Sequence, residues 1–490
     1  MQHIRFDFNN LFEFNIGAKH GVSLKDIKTL ANKIKKGQEH LQRVIKEPAS
    51  RLNVDLEWVT LPHQDEKTIN AIQVLGRKIA ESYENVVFLG IGGSYLGLKA
   101  AQDALSSPYY NEFKSVRMER PKVYFEGNNI DPAPLKVLLN NLDSKKTAVI
   151  VISKSGQTIE TKASFQVVET WLKRGVGAKF GHQIFAVTDP VSGDLRRRVN
   201  EEQSKDKKSF RNLPLLKGIG GRYSEFNMGL LHLAIIGIVI QDVLDGAKAM
   251  AGRCKVNSIY KNPALMYAAL QYILYTKKSK TISVLMPFSE RLKSTSDWYA
   301  QLLAESLGKK YQRKIKIDPS GYETWDKDLS RIVNVGRTPV ICRGTTDLHS
   351  IQQNNVEGEN NKTVTFIRTE DFKDDLKIVG VKDFLYGKSF GQLLNLAQEA
   401  TEWSLTLNKR PNCTIIMPQV CGFNWGELLF FFQMATAFEG ELLNVNAFDQ
   451  PGVESYKNYM YAKLKKPGIS VNIKEEIKNK RLIKRKEFIL

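Results

Sequence analysis

Three hydroxyl side chains, Ser153, Ser155 and Thr158, stand close together directly after an apolar, β-branched segment, Thr147–Ile152. That segment predicts a strand buried on both faces, and the residues after Thr158 predict an amphipathic helix. The free N–H groups at a helix start attract anions, and the hydroxyls add further hydrogen-bond donors. We therefore expect this turn, named here the phosphate turn (153–158), to hold a phosphate group. The alternative is an ordinary helix N-cap, in which Ser and Thr only satisfy backbone donors.

Glycine-rich turns stand at two other predicted element boundaries, at residues 90–94 (Gly-Ile-Gly-Gly-Ser) and 218–222 (Gly-Ile-Gly-Gly-Arg). Glycine lets a ligand approach the backbone closely and permits backbone conformations closed to other residues. A dinucleotide-binding fingerprint requires a third glycine where Tyr95 stands in the first turn and Tyr223 in the second. The two turns therefore favour a small ligand over a nicotinamide cofactor.

Candidate acid–base groups come from the second half of the chain. Glu305 lies on a predicted helix, on the same face as Trp298, where a partly desolvated carboxylate suits a general base. The alternative role for Glu305 is an i,i+4 ion pair with Lys309. His349 stands in the turn-like segment Gly-Thr-Thr-Asp-Leu-His-Ser and is a candidate for proton transfer, although single loop histidines more often serve as surface or capping residues.

Composition excludes several classes of protein. The chain has 490 residues, 42% hydrophobic and 25% charged, which is typical of a globular protein with two or three domains. No apolar run approaches the roughly 20 residues that a bilayer-spanning helix needs, and the N-terminus has no export signal, so we expect a cytoplasmic protein without a membrane partner. Four scattered cysteines without ligand spacing predict buried thiols and no structural metal.

The net charge of +20 favours an anionic ligand. Residues 461–490 carry ten Lys or Arg against three Glu. The spacing of Ile473 and Ile477 predicts a solvated terminal helix there. Because no nucleic-acid-binding motif accompanies this basic tail, we expect no nucleic-acid partner.

Predicted strands and helices alternate along the chain, which predicts an α/β fold with parallel sheets flanked by helices. The predicted strands form two series, at 86–89, 122–125, 147–152 and 184–187, and at 281–286, 363–367 and 414–417, with a short strand at 339–342. Predicted helices lie at 264–275, 297–307 and 426–437. Two α/β halves are therefore expected.

Six motifs, taken together and in order, resemble the phosphoglucose isomerase family: GIGGSYLG, SKSGQTIET, GGRYS, QLLAESLGK, GTTDLHS and FDQPGVESYK. The resemblance implies two sugar-isomerase domains, each a mostly parallel sheet flanked by helices, with helical N- and C-terminal extensions. The implied division is a helical segment at 1–70, domains at 71–275 and 276–445, and an active-site segment with the basic tail at 446–490. The family's motifs give the tail after Gly468 no counterpart.

The resemblance also implies an activity: interconversion of glucose 6-phosphate and fructose 6-phosphate through an enediolate, without a cofactor, in a homodimer with shared active sites. The implied roles are phosphate binding by Ser153, Lys154, Ser155 and Thr158; lining of the sugar pocket by Gly92, Ser94 and Gly221; closure by Gln450; proton transfer by Glu305; enediolate stabilisation by Arg222; and ring opening by His349 of the neighbouring subunit, assisted by Lys457. Isomerisation of this kind needs one acid–base group for ring opening, one base and one fixed positive charge, and the chain offers each.

Two alternatives stay open at this point. A non-catalytic sugar-phosphate sensor needs the phosphate turn but has no use for Glu305, His349 and Lys457 together. A related enzyme, such as a bifunctional glucose/mannose phosphate isomerase, shares the chemistry on a shorter chain. An amidotransferase needs an N-terminal cysteine, and the chain begins Met-Gln-His.

Overall fold

The computed structural model describes residues 2–480 and 482–490 and divides them into two compact units, Met1–Ala447 and Phe448–Leu490. Its strands are β1 (Arg5–Asp7), β2 (Asn85–Leu89), β3 (Lys122–Glu126), β4 (Thr147–Ile152), β5 (Ile184–Thr188), β6 (Arg211–Pro214), β7 (Ile282–Pro287), β8 (Lys309–Ile317), β9 (Glu323–Val335), β10 (Thr338–Ile341), β11 (Lys362–Asp371) and β12 (Asn412–Gln419). Its α-helices are α1 (Glu13–Ile16), α2 (Leu24–Lys46), α3 (Pro48–Asn53), α4 (Glu66–Ser82), α5 (Gly93–Leu105), α6 (Pro132–Asn141), α7 (Ile159–Val176), α8 (Asp194–Lys205), α9 (Glu225–Ile236), α10 (Ile240–Cys254), α11 (Pro263–Lys278), α12 (Lys293–Leu307), α13 (Gln352–Val356), α14 (Phe390–Leu407), α15 (Gly422–Leu443), α16 (Glu454–Lys463) and α17 (Val471–Asn479).

The first sheet has the strand order β3-β2-β4-β5-β6, and every neighbouring pair is parallel. All residues of β2, β4 and β5 are buried, because a parallel sheet is covered by helices on both faces. Val149, Leu172 and Ile184 are fully buried members of the core between this sheet and its helices. The predicted strands of the first series are all present.

The second sheet has the order β1-β12-β11-β7-β10, with β1 antiparallel to β12 and the other pairs parallel. The predicted strands of the second series are present, so the expected α/β architecture with two mainly parallel sheets is confirmed. The strand β1 was not predicted, since the first 70 residues were expected to be helical. Three residues are too few to establish an alternating pattern, and β1 exists only because it pairs with the edge of β12.

A two-stranded antiparallel sheet, β8 with β9, was also missed. Most of its side chains are exposed, so neither strand has the continuous apolar face that identifies a buried strand in sequence. The division into four segments that the resemblance implies remains a prediction. In the second unit, α17 confirms the expected helix around Ile473 and Ile477. Within the described residues, no helix is both long enough and apolar enough to cross a bilayer.

The strand order of the first sheet creates a crevice between β2 and β4. The chain leaves β2 toward β3 on one side, whereas it leaves β4 toward β5 on the other side. The loops after β2 and β4 therefore diverge at the carboxyl edge of adjacent strands. Ligands bind at such a switch point in open α/β sheets.

Candidate active site

The first glycine turn and the phosphate turn both open at this crevice, because one follows β2 and the other follows β4. Leu89 and Val151, near the ends of the two strands, are direct neighbours in the sheet. The two turns therefore start about one strand spacing, roughly 4.8 Å, apart.

Close backbone packing brings the two glycine turns together. Gly92 is the N-cap of α5 and has φ +58°, in the left-handed region that favours glycine. A Cβ atom on Gly93 would lie 2.2 Å from the carbonyl carbon of Gly221 and 2.7 Å from the backbone nitrogen of Arg222. Only glycine allows this approach, so position 93 must be glycine where the segment that carries Arg222 packs against the start of α5. Ser94, in the first turn of α5, is half-buried beside it.

Arg222 is 1% exposed, and hydrogen bonds from its guanidinium hold it within the first unit. Its Nε donates to Ser306 Oγ at 2.8 Å, Nη1 donates to Glu305 Oε2 at 3.2 Å, and Nη2 donates to the Ala447 carbonyl oxygen at 2.7 Å. The fork of donors in a guanidinium fits such a set of acceptors, whereas a lysine ammonium does not. The structure therefore fixes one positive charge next to the Glu305 carboxylate.

Glu305 lies in the last turn of α12, and its side chain is 28% exposed. One carboxylate oxygen accepts from Arg222, and the other accepts from Gln301 Nε2 at 3.2 Å, one helical turn earlier. Lys309 donates to the Glu305 carbonyl oxygen at 2.6 Å. The predicted helix and the partial burial of Glu305 are confirmed, and its carboxylate points into the same cluster as Arg222.

A buried acid supports this arrangement. Glu225, the first residue of α9, accepts a hydrogen bond from Trp298 Nε1 at 2.6 Å and another from Gln433 Nε2 at 2.9 Å. A Cβ atom on Gly97 would lie 2.5 Å from Glu225 Cγ, so α5 packs directly over this carboxyl group. Burial raises the pKa of Glu225 to about 8. One side chain thus connects the segment after Arg222 with α12, which carries Glu305, and with α5.

The phosphate turn has the form that the sequence predicts. Ser153 is buried, and its Oγ accepts from the Gly156 N–H at 3.0 Å; Ser155 Oγ accepts from the Gln157 N–H at 3.2 Å. Thr158 is the N-cap of α7, but its side chain makes no capping hydrogen bond. The alternative interpretation, an ordinary helix N-cap, therefore applies in part to Ser153 and Ser155, because both accept hydrogen bonds from the backbone of the turn. It does not apply to Thr158. Lys154 is exposed.

The phosphate turn and the first glycine turn share a neighbour, Gly127, in the loop after β3. Thr161 Oγ1, in the first turn of α7, donates to the Gly127 carbonyl oxygen at 3.4 Å. A Cβ atom on Gly127 would lie 3.4 Å from the Gly90 backbone nitrogen. The start of α7 and the start of α5 therefore lie on either side of one small loop.

Three of the predicted site residues are described separately, one in the first unit and two in the second. His349 ends a short 3-10 turn after β10 and is exposed; among the described residues it makes no side-chain hydrogen bond or ion pair. Gln450 and Lys457 belong to the second unit. Gln450 precedes the 3-10 turn Pro451–Val453, and Lys457 lies in α16, where it pairs with Glu454 at 3.0 Å.

Sequence reasoning did not identify Glu225, Gln301 and Ser306, which the structure places in or directly beside the cluster. Gln301 lies between Glu305 and the first glycine turn, because its Nε2 would be 3.0 Å from a Cβ atom on Gly92. Its Oε1 is buried and has no hydrogen-bond partner among the described residues. The spacing of Gln301, Glu305 and Ser306, which puts the first two on one helix face, was the available signal.

Metal ligands are not assembled in the described part of the chain, where no three His, Cys, Asp or Glu side chains lie close enough to hold an ion. All four cysteines are free thiols. Cys254, Cys342 and Cys413 are buried, and Cys421 is half-buried.

Comparison with known proteins agrees with this geometry. A sequence profile of the phosphoglucose isomerase family matches residues 67–325. Glucose-6-phosphate isomerase of Carboxydothermus hydrogenoformans is 36% identical over 494 aligned residues, which cover 99% of both chains, and that of Shouchella clausii is 32% identical over 98% of both. Because the first alignment covers 99% of this chain, it extends into residues 469–490, so the expectation that the tail lacks a counterpart in the family is wrong.

Solved structures share the fold. A hypothetical protein of Thermus thermophilus superposes with a TM-score of 0.78 at 30% identity, covering 94% of this chain and 99% of that one. A glucose-6-phosphate isomerase of Chlamydia trachomatis gives a TM-score of 0.74 at 20% identity, and the superposition covers 94% of this chain and 90% of that one. The profile match and the full-length relatives lead to one conclusion: this chain belongs to the phosphoglucose isomerase family.

Proposed function

We propose that this chain interconverts glucose 6-phosphate and fructose 6-phosphate by transferring a proton between C2 and C1 through an enediolate, without a cofactor. The observation that carries the proposal is the pairing of the Glu305 carboxylate with the buried Arg222 guanidinium beside the first glycine turn. A base and a fixed positive charge at one switch point are what an aldose–ketose isomerisation needs.

Phosphate binding anchors the substrate. Ser153 and Ser155 accept hydrogen bonds through their oxygens, so their hydroxyl protons stay available to a dianion, and the N–H groups that open α7 add further donors. Thr158 contributes its hydroxyl, which caps no backbone group, and Lys154 contributes its backbone. Anchoring at this remote group holds the sugar still while the base serves two carbons.

Proton transfer falls to Glu305. The carboxylate takes the C2 proton of the open-chain aldose and returns it to C1, while the developing oxygen anion interacts with Arg222. Because Ser306 and the Ala447 carbonyl hold the guanidinium in place, no reorganisation is needed when the negative charge moves from Glu305 to the substrate. Gln301, Gly92, Ser94 and Gly221 line the sugar pocket.

Ring opening needs a separate acid–base group, and we assign it to His349 of a second subunit, with Lys457 assisting and Gln450 closing over the sugar. The support within this chain is that His349 is exposed after the edge strand β10 and makes no described contact with Glu305. The enzyme is thus a cytoplasmic homodimer in which each active site uses residues from both subunits.

Purified protein tests the activity directly. With glucose 6-phosphate, and with mannose 6-phosphate in a parallel reaction, we expect turnover of the glucose ester that survives a metal chelator. A sensor would bind sugar phosphate without turnover, and a bifunctional enzyme would use both esters.

Subunit mixing tests the shared site. Glu305→Gln and His349→Ala are each inactive as homodimers, but a mixed dimer regains one intact site, so randomly reassembled mixtures recover about a quarter of wild-type activity. No recovery from verified mixed dimers would place His349 outside the partner's site.

A further inference from the structure

A cluster of positive charges lies at the amino edge of the second sheet, where β7, β11 and β12 begin. Lys280 stands two residues before β7, Lys362 is the first residue of β11, and Arg410 stands two residues before β12. Because these strands are parallel neighbours, their starts lie at one edge. The turn after α1 adds Lys19 and His20.

Lys280 is the buried centre of this cluster, with only 1% of its surface exposed. Its Nζ donates to Asn360 Oδ1 at 2.8 Å, to the Asn360 carbonyl oxygen, and to His20 Nδ1 at 3.2 Å. Burial, and then the charges of Arg410 and of lysines 19 and 278, lower its pKa to about 8. Neutral acceptors therefore satisfy its hydrogen bonds but leave its charge unbalanced.

Arg410 is the second unbalanced group. Its Nε and Nη1 are buried and have no hydrogen-bond partner among the described residues. Burial lowers the pKa of Arg410. Burial, and then the charge of Arg410, lower the pKa of Lys362; burial, the charges of Lys280 and Lys19, and then that of Arg410 lower the pKa of His20. A buried guanidinium donor without an acceptor is costly, and such groups in native proteins usually find a partner.

Carboxylates do not balance this charge. Lysines 19, 278, 362 and 409 surround the two groups, and none of the six cations forms an ion pair within the described residues. Among the described residues, Glu359 is an acid whose charge acts on Lys362: Lys362 donates to its carbonyl oxygen at 3.0 Å, and the two side chains form no ion pair. An anion from outside the chain would relieve the mutual repulsion of these cations.

We propose that this edge, formed by Lys280, Arg410, His20 and the surrounding lysines, binds a small oxyanion of the phosphate class at a site separate from the phosphate turn. The guanidinium fork of Arg410 is its principal donor, since two of its nitrogens lack acceptors and an oxyanion accepts from both at once. The ligand is either free inorganic phosphate or the phosphate group of a metabolite.

The test uses Arg410→Gln, because this side chain makes no hydrogen bond with the described protein and its loss should not disrupt folding. Phosphate also binds at the phosphate turn, so the substitution is made in full-length protein that carries Ser155→Ala and Thr158→Ala. Inorganic phosphate is titrated at constant ionic strength against chloride, with calorimetry and the thermal unfolding midpoint as readouts. Arg174→Gln, an exposed arginine of α7 without an ion pair, is the matched control.

We expect phosphate to bind and raise the midpoint in the background and in the Arg174 control, and Arg410→Gln to weaken binding at least about tenfold. Without phosphate at low salt, Arg410→Gln should unfold at the same temperature as the background or higher, because repulsion is reduced. Equal binding in the Arg410 variant, a stabilisation that chloride reproduces, or a lower midpoint without phosphate would each overturn the proposal. Repeating the titration with fructose 6-phosphate distinguishes the two sources, since stronger binding than inorganic phosphate identifies a metabolite site.

Discussion

Replacing Ser306 by alanine tests how Arg222 is held. The hydroxyl accepts from Arg222 Nε at 2.8 Å and lies 3.1 Å from the Tyr223 hydroxyl, in a fully buried position. Ser306→Ala removes this acceptor from a buried guanidinium donor. The other two anchors, Glu305 and the Ala447 carbonyl, remain.

A hydrogen bond to a charged group contributes about 1.5–3 kcal/mol, so we expect Ser306→Ala to lower the free energy of unfolding by about 2 kcal/mol. If the stabilisation of the transition state falls by the same amount, about 2 kcal/mol, kcat should fall roughly 30-fold. KM should change little, because the phosphate turn dominates binding of the ground state. A coupled assay of fructose 6-phosphate consumption, together with chemical denaturation, measures both quantities.

Ser296→Ala is the matched control on the same helix. Ser296 Oγ is buried but has no hydrogen-bond partner among the described residues, so its removal should be neutral for activity. If Ser306→Ala keeps its kcat within twofold of the Ser296 control, Ser306 does not position Arg222 for the reaction.

Substitutions at three further positions probe the supporting structure. Gly93→Ala places a methyl group 2.2 Å from the backbone of the second glycine turn, and we expect expression to fall and the remaining folded enzyme to lose most of its activity; normal yield and activity would show that the turns can separate. Glu225→Leu leaves two buried donors unpaired and should lower the free energy of unfolding by at least about 2 kcal/mol, whereas Glu225→Gln should recover part of it, as measured by denaturation. Burial lowers the pKa of His40, but hydrogen bonds that the ring donates to Glu323 and then to Glu441 outweigh this effect and raise the pKa from 6.5 to about 9. The protonated histidine therefore stabilises the fold fully below pH 6.5, and this contribution is lost as the pH rises through 9; His40→Gln should flatten the fall in unfolding midpoint over that range, and an unchanged slope would exclude His40 as its source.

Local sequence patterns predicted those parts of the site that lie within a single short segment of the chain. The apolar strand before Ser153, the glycine turn after β2 and the helix that carries Glu305 are each encoded within about 15 consecutive residues, so strand and helix periods sufficed. The strands missing from the prediction, β1, β6 and the β8–β9 pair, lack such a pattern: β1 and β6 are three and four residues long, and β8 and β9 are mostly exposed.

Long-range contacts could not be predicted in this way. The approach of Gly93 to Gly221 joins residues 128 positions apart, and Arg222 reaches Ser306 across 84. The role of His349 rested on the family motif alone, since nothing in its neighbourhood distinguishes it from a surface residue. The cations around Lys280 come from separate segments of ordinary basic composition, and only the strand order brings them together.

The measurement that most directly tests the account is transfer of the C2 proton in Glu305→Gln. The amide keeps an oxygen that can accept a hydrogen bond from Arg222, but it cannot act as a base. We therefore expect kcat to fall by at least about a thousandfold, both with fructose 6-phosphate and with glucose 6-phosphate that carries deuterium at C2. Binding of fructose 6-phosphate, measured by calorimetry, should stay within about tenfold of wild type, because the phosphate contacts are intact. Near-normal turnover, or exchange of the C2 deuterium at the wild-type rate, would contradict the assignment of Glu305 as the base.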